Sequence, residues 1–186
     1  MTTYWQRGVL LGVVSLMGLL HGGTAQAAAV TPAWGHWHAT ELTYHCDVQS
    51  PYYRRVWRQA VRNWNRTGVV HLRAIPTERP ANITLTTAPM IGRPAQRLAG
   101  YTDYAFYRRP TGKLIIDAQA RLNRRVLTTY HYTQRQRTSV ATHELGHALG
   151  LDHSRSAKSI MYATNRNGVI TGQDKHAIVT AYRSGY

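Results

Sequence analysis

The chain has 186 residues, with 23 Lys and Arg against 8 Asp and Glu for a net charge of +15, and a single cysteine. That length suits one domain with one core, and the lone Cys46 excludes an intrachain disulfide, so the fold must rest on packing. The charge excludes a neutral surface and predicts attraction to anionic partners.

In chain order, the first feature is an uncharged apolar run, Val9–Leu20, preceded by Arg7 and followed by small residues and Ala25-Gln26-Ala27. The run is shorter than the ~20 residues a membrane-spanning helix needs. With the A-x-A pattern behind it, it reads as a secretory signal peptide, residues 1–27, leaving no transmembrane anchor after cleavage. The mature chain then carries 22 Lys and Arg against 8 acids, a net +14. An exported protein seldom meets nucleic acid, so no nucleic-acid partner is expected. Anionic cell-envelope polymers are the expected partners of the Arg-rich surface, and the protein is expected to be a secreted monomer, free or associated with the cell surface.

Residues 28–40 form a short Trp- and His-rich lead-in containing WGHWH. Glu41–Val48 alternates as a first strand, with Cys46 as a small buried side chain. SPYYRRVWRQAVRNWNRTG then reads as a helix, with Ser50 as N-cap, Pro51 at the first helical position and Gly68 past the end. Tyr53, Val56, Trp57, Ala60, Val61 and Trp64 fall on one apolar stripe, with Arg54, Arg58 and Arg62 on the other face. Four strand-like runs follow, Val69–Ile75, Ile83–Thr87, Gly100–Tyr107 and Leu114–Ala120, separated by Pro and Gly. Thr138–Leu149 has helical spacing. The last helix begins at a Thr171/Asp174 pair resembling a capping box and repeats Ile178, Val179 and Tyr182 on one side. The order predicts a single α+β domain.

The second helical segment carries HELGHALGLDHS, residues 143–154. On a helix, i and i+4 share a face, so His143 and His147 can direct imidazole nitrogens at one ion. Glu144 sits beside the first ligand, placed to address a water there without binding the metal. Gly150 lets the backbone leave the helix so that His153 returns as a third ligand. Three protein ligands leave a fourth position open, the mark of a catalytic zinc site rather than a structural one. Asp152 would either orient His153 or lie exposed.

H-E-x-x-H-x-x-G-x-x-H is the signature of the metzincin zinc peptidases, and the chain resembles their matrixin branch. Ser154 directly follows the third histidine, and Ser159-Ile160-Met161-Tyr162 matches the methionine turn. VWRQAVRNWN, LIIDAQARLN and the Asp174…Ile178…Tyr182 spacing extend the likeness more loosely over most of residues 41–186. The resemblance implies a twisted five-stranded mixed sheet, two long helices and a C-terminal helix. It implies a secreted zinc endopeptidase acting on peptides or proteins, with Glu144 as general base and Met161 packed beneath the metal. It also implies an extended substrate adding to a sheet edge. Gly100 and Tyr101, in the run Ala99–Arg108, and Tyr162 are the substrate-cleft candidates, and Ala163–Ile170 is expected to wall the specificity pocket.

The chain departs from the larger matrixins in two respects. Only about a dozen residues separate the predicted cleavage point from the first strand, with no blocking cysteine motif among them. Eight acids in total offer no oxygen cluster for calcium. A second zinc is likewise unsupported, since His36, His38, His45, His71 and His131 each read as surface or packing residues. Two rival functions share the metal motif: a zinc-bearing envelope-binding protein with little hydrolysis, and an amidase acting on cell-wall peptides. Neither explains the catalytic carboxylate, or the full motif, as well as a peptidase does.

Overall fold

The computed structural model describes residues 4–6, 31–87, 98–110, 112–164 and 166–184. The proposed signal run Val9–Leu20 and Met90–Arg97, which lies between the strand-like runs Ile83–Thr87 and Gly100–Tyr107, are outside the described residues. Among the described residues, no helix is long and apolar enough to cross a membrane.

All five expected strands form: β2 (Glu41–Asp47), β3 (His71–Ala74), β4 (Ile83–Thr87), β5 (Gly100–Arg109) and β6 (Gly112–Leu122). β2 pairs in parallel with β3 and β4, β4 in parallel with β6, and β5 antiparallel to β6, giving the mixed sheet. A sixth, three-residue strand, β1 (Tyr4–Gln6), adds antiparallel to β5 at Tyr104–Phe106, so the full order is β1-β5-β6-β4-β2-β3. Its position follows from β5 being an edge, whose unpaired N–H and C=O groups accept any extended segment.

Among the described residues four helices accompany the sheet: α1 (Pro51–Asn65), α2 (Arg124–Thr129), α3 (Gln134–Ala148) and α4 (Gly172–Ser184). The apolar stripe of α1 is buried residue for residue as its spacing predicts. It packs with Leu42, Ile83, Leu85, Ala118, Ala120 and Leu122 of the sheet and with Ala141, Leu145 and Ala148 of α3 in one core. Ser50 holds the N-cap position with an extended backbone, but its side chain makes no capping bond. Helix α3 starts four residues earlier than its apolar spacing suggests. Thr133 and Gln136 close a capping box there, supplying the first turn with partners its polar sequence does not advertise. The short α2 is held by the Asn123 side chain accepting from Val126 N.

Three indole and phenol groups then fix α3 in place. Trp64 Nε1 donates to Thr142 O at 2.9 Å, Trp37 Nε1 to Ala148 O at 2.8 Å and Tyr182 OH to Leu149 O at 3.2 Å. The last two occupy carbonyls that a helix C-terminus otherwise leaves without intrahelical partners. The lead-in and α4 therefore grip the same end of the helix that carries the motif.

Candidate metal centre

Helix α3 ends where the motif needs it to. Gly150 has φ +97°, with its N–H on His147 O (2.9 Å) and the Leu151 N–H on Gly146 O (3.0 Å), the double closure of a Schellman turn. A Cβ at Gly150 would stand 2.1 Å from Gly35 O, because the lead-in crosses directly over this turn. Glycine is required twice over, for the dihedral and for the crossing. The chain then runs extended, pinned by Asp152 N to Pro32 O (2.9 Å) on one side and by Ser154 N to Met161 O (2.9 Å) on the other. His153 is carried back to the helix on that pinned segment. Asp152 Oδ1 accepts from His153 N at 2.7 Å, so it holds the backbone of that residue rather than its ring.

The result is that the imidazoles of His143, His147 and His153 converge. Nε2 of His147 lies 3.0 Å from Nε2 of His143 and 3.3 Å from Nε2 of His153. Nδ1 of His143 donates to Ile160 O at 2.7 Å, and Nδ1 of His147 to Leu151 O at 2.8 Å. With their protons committed to those carbonyls, both rings present bare Nε2 lone pairs to the common centre. Burial drives the pKa of His143 down to about 4 and that of His147 well below its usual value, and it lowers His153 as well. Neutral imidazoles with opposed lone pairs repel one another unless a cation lies between them. Ligands about 2.0–2.1 Å from a tetrahedral zinc stand about 3.3 Å apart, which matches the observed separations. The residues present fit zinc, with the ring orientation set by backbone carbonyls as metal-binding histidines ordinarily have it. Among the described residues this is the one cluster of three or more His, Cys, Asp or Glu side chains that could hold a metal.

Glu144 is buried beside this cluster. Burial pushes its pKa up to about 8, opposed by a hydrogen bond from Thr102. Thr102 Oγ1 lies 3.0 Å from Glu144 Oε2 and 2.9 Å from Glu144 O. Strand alternation brings Gly100 to the same face. A Cβ there would come within 2.7 Å of Glu144 Cγ and 2.8 Å of Oε1, so only glycine lets β5 pass this close to the carboxylate. Tyr101, paired with it as a cleft candidate, is not brought to the histidines. Its side chain alternates to the opposite face of the sheet and its ring stacks under the Arg121 guanidinium. Thr102 was not a sequence candidate, and its signal is its place two residues along the strand from Gly100.

Met161 is fully buried beneath the helix. A Cβ on Gly146 would lie 2.4 Å from Met161 Sδ and 3.1 Å from Trp64, so this glycine of the motif makes room for the methionine. The turn itself is held by Asp174, which has no solvent exposure. Its Oδ1 accepts from Ser159 Oγ and from Thr31 Oγ1, each at 2.6 Å, and its Oδ2 from Thr171 N and Oγ1, each at 2.8 Å. The sequence reading gave Asp174 a capping role alone. The structure adds the tie between lead-in, methionine turn and α4. Tyr162 is half-buried beside this turn, where it bridges Ser154.

A groove of about 590 Å³ does not lie over the histidines. It runs between α1 and α3, where Gly168, Val169 and Ile170 from the segment after the methionine turn form one side.

Comparison with known proteins agrees with this geometry. The family model described as matrixin matches residues 36–183. Metalloendoproteinase 2-MMP of Arabidopsis thaliana is 28% identical over 185 residues, covering 84% of this chain and 48% of that protein. The chain thus spans about half the length of the curated relative it matches.

Proposed function

The chain belongs to the matrixin family, and from that premise we propose that it is a secreted zinc-dependent endopeptidase. The observation that carries the reading is the convergence of three Nε2 atoms beside a buried carboxylate. His143, His147 and His153 would hold the ion. When bound, zinc would supply Lewis-acid polarisation of the substrate carbonyl and acidify an attacking water.

The remaining roles belong to the chain. Glu144 takes the proton of the attacking water and delivers it to the leaving amine. Thr102 holds Oε2, and the missing side chain at Gly100 leaves room around Oε1. Glu144 is thus held by one oxygen while the other is left to carry the proton. Between Gly100 and Asp103, β5 pairs on one side with β6 and has no strand partner on the other among the described residues. An extended peptide substrate adding there would lie alongside the carboxylate. Residues 1–27 are read as the export signal, so that cleavage removes β1 and leaves β5 as the edge of a five-stranded sheet in the mature protein, which is read as a monomer.

The test is incubation of the purified protein with a diverse peptide library, with and without a zinc chelator, beside Glu144→Ala. Cleavage that the chelator stops and the variant lacks supports the reading. Cleavage indifferent to both, or no cleavage of any peptide by zinc-loaded protein, overturns it.

A further inference from the structure

Helix α1 does more than fill the core. Its exposed side carries Arg54, Arg55, Arg58 and Arg62, continued by Arg66 at the C-cap. No Asp or Glu occurs between Asp47 and Glu78, nor between Asp117 and Glu144, the stretch that supplies α2 and the first half of α3. The arginines therefore repeat at i, i+4 with no acid between them, a spacing at which like charges destabilise a helix. Arg54 and Arg55 also stand near the helix N-terminus, where the dipole opposes positive charge. Alternating Glu and Arg would make an equally soluble and more stable face. The guanidinium groups of Arg55, Arg58, Arg66 and Arg135 make no hydrogen bond or ion pair among the described residues. The row extends about 18 Å from Arg54 to Arg66, at 1.5 Å per residue.

A second, separate feature adjoins the row. Arg66 and Arg135 both line the groove of about 590 Å³ between α1 and α3, together with Gln59, Asn63, Gln134 and Thr138. Its walls on these sides are helical, so their backbone groups are already used within the helices. The remaining side, Gly168–Ile170, is not helical, and there Gly168 O already accepts from Ser139 Oγ. Side-chain amides and hydroxyls offer both donors and acceptors, which suits the hydroxyl groups of a sugar ring. Guanidinium forks suit carboxylate or sulfate.

We infer that the arginine face of α1, with the adjoining groove, binds an acidic polysaccharide chain. Anionic groups lie along the row, and sugar hydroxyls enter the groove beside Arg66 and Arg135. This surface is distinct from the histidine cluster, and binding does not depend on hydrolysis.

The test is the affinity of the whole protein for polygalacturonate and dextran sulfate, with uncharged dextran and polyglutamate as comparisons. Two triple variants are set beside the parent: Arg58→Ala/Arg62→Ala/Arg66→Ala on the row, and Arg73→Ala/Arg79→Ala/Arg109→Ala, three exposed arginines elsewhere that remove the same charge. Thermal melting checks that each is folded, and if the row variant does not fold, Arg66→Ala/Arg135→Ala replaces it. The row variant is expected to bind acidic polysaccharide about tenfold more weakly or worse, and the control variant less than twofold more weakly. Binding to either polymer should fall with added salt. Preference for polygalacturonate or for dextran sulfate tells carboxylate from sulfate. Equal losses in the two variants would reduce the effect to net charge and overturn the inference. So would binding of polyglutamate as tight as that of the polysaccharides, or no binding of either acidic polymer.

Discussion

Helices α1 and α3 are both 15 residues long and pack against each other in one core, yet they are built on opposite principles. In α1 every buried residue is apolar and lies on one stripe. In α3 the buried set is Ser139, Ala141, Thr142, Glu144, Leu145, Gly146 and Ala148, mixed in polarity. A helix that serves only the core can keep a clean period. One that must bury a carboxylate, admit a methionine beneath it and aim two imidazoles outward cannot. The departures from the local rule collect where the chemistry is.

Substitutions on the two helices should therefore separate function from stability. The largest effect expected is on α3: Glu144→Ala should lower kcat by about 10²–10⁴-fold while zinc content by metal analysis is unchanged. His147→Ala should instead lose the metal. On α1, Trp64→Ala removes a fully buried indole and its bond to Thr142 O. It should cost about 3–5 kcal/mol in urea unfolding while leaving the three metal ligands in place.

A sharper contrast comes from Gly146→Ala. In an ordinary helix interior this change stabilises by about 0.5–1 kcal/mol. Here the added Cβ meets Met161, and a loss of about 1–3 kcal/mol is expected. A gain in stability would mean that Met161 is not held where the account needs it. The effect of acid should be gradual. Burial lowers the pKa of His143 to about 4 and lowers those of His147 and His153. Below about pH 6.5 these three rings therefore make the unfolded metal-free chain bind more protons than the folded one, outweighing the single proton that Glu144, raised to about 8, retains in the folded state. Stability present above about pH 6.5 should then fall as pH drops toward 4, as thermal melts of metal-free protein at stepped pH can follow. Smallest of all, Arg58→Ala on the outer face of α1 should change stability by about 0.5 kcal/mol or less.

Much of this was legible before the fold. The five strands and the α1 stripe follow from alternation and period, which are properties of near neighbours along the chain. His143 and His147 were visible because one helical turn relates them, and His153 because Gly150 marks the exit. What the sequence hid depends on partners far away in the chain. Thr102 contacts Glu144 across 42 positions, Gly146 makes space for Met161, and Asp174 ties Thr31 to Ser159. Which face of the edge strand turns to the helix is likewise set by distant partners, and it sends Tyr101 to Arg121 while Gly100 and Thr102 meet Glu144. Helix α2 and the first turn of α3 are too polar to show a period, and side-chain caps define them instead.

X-ray absorption of the zinc-loaded protein tests the central claim most directly. The account predicts zinc bound by three imidazole nitrogens at about 2.0–2.1 Å and one light-atom ligand from solvent, with the imidazole signal reduced in His153→Ala. A sulfur ligand from Cys46, or a first shell unchanged by that substitution, would contradict it.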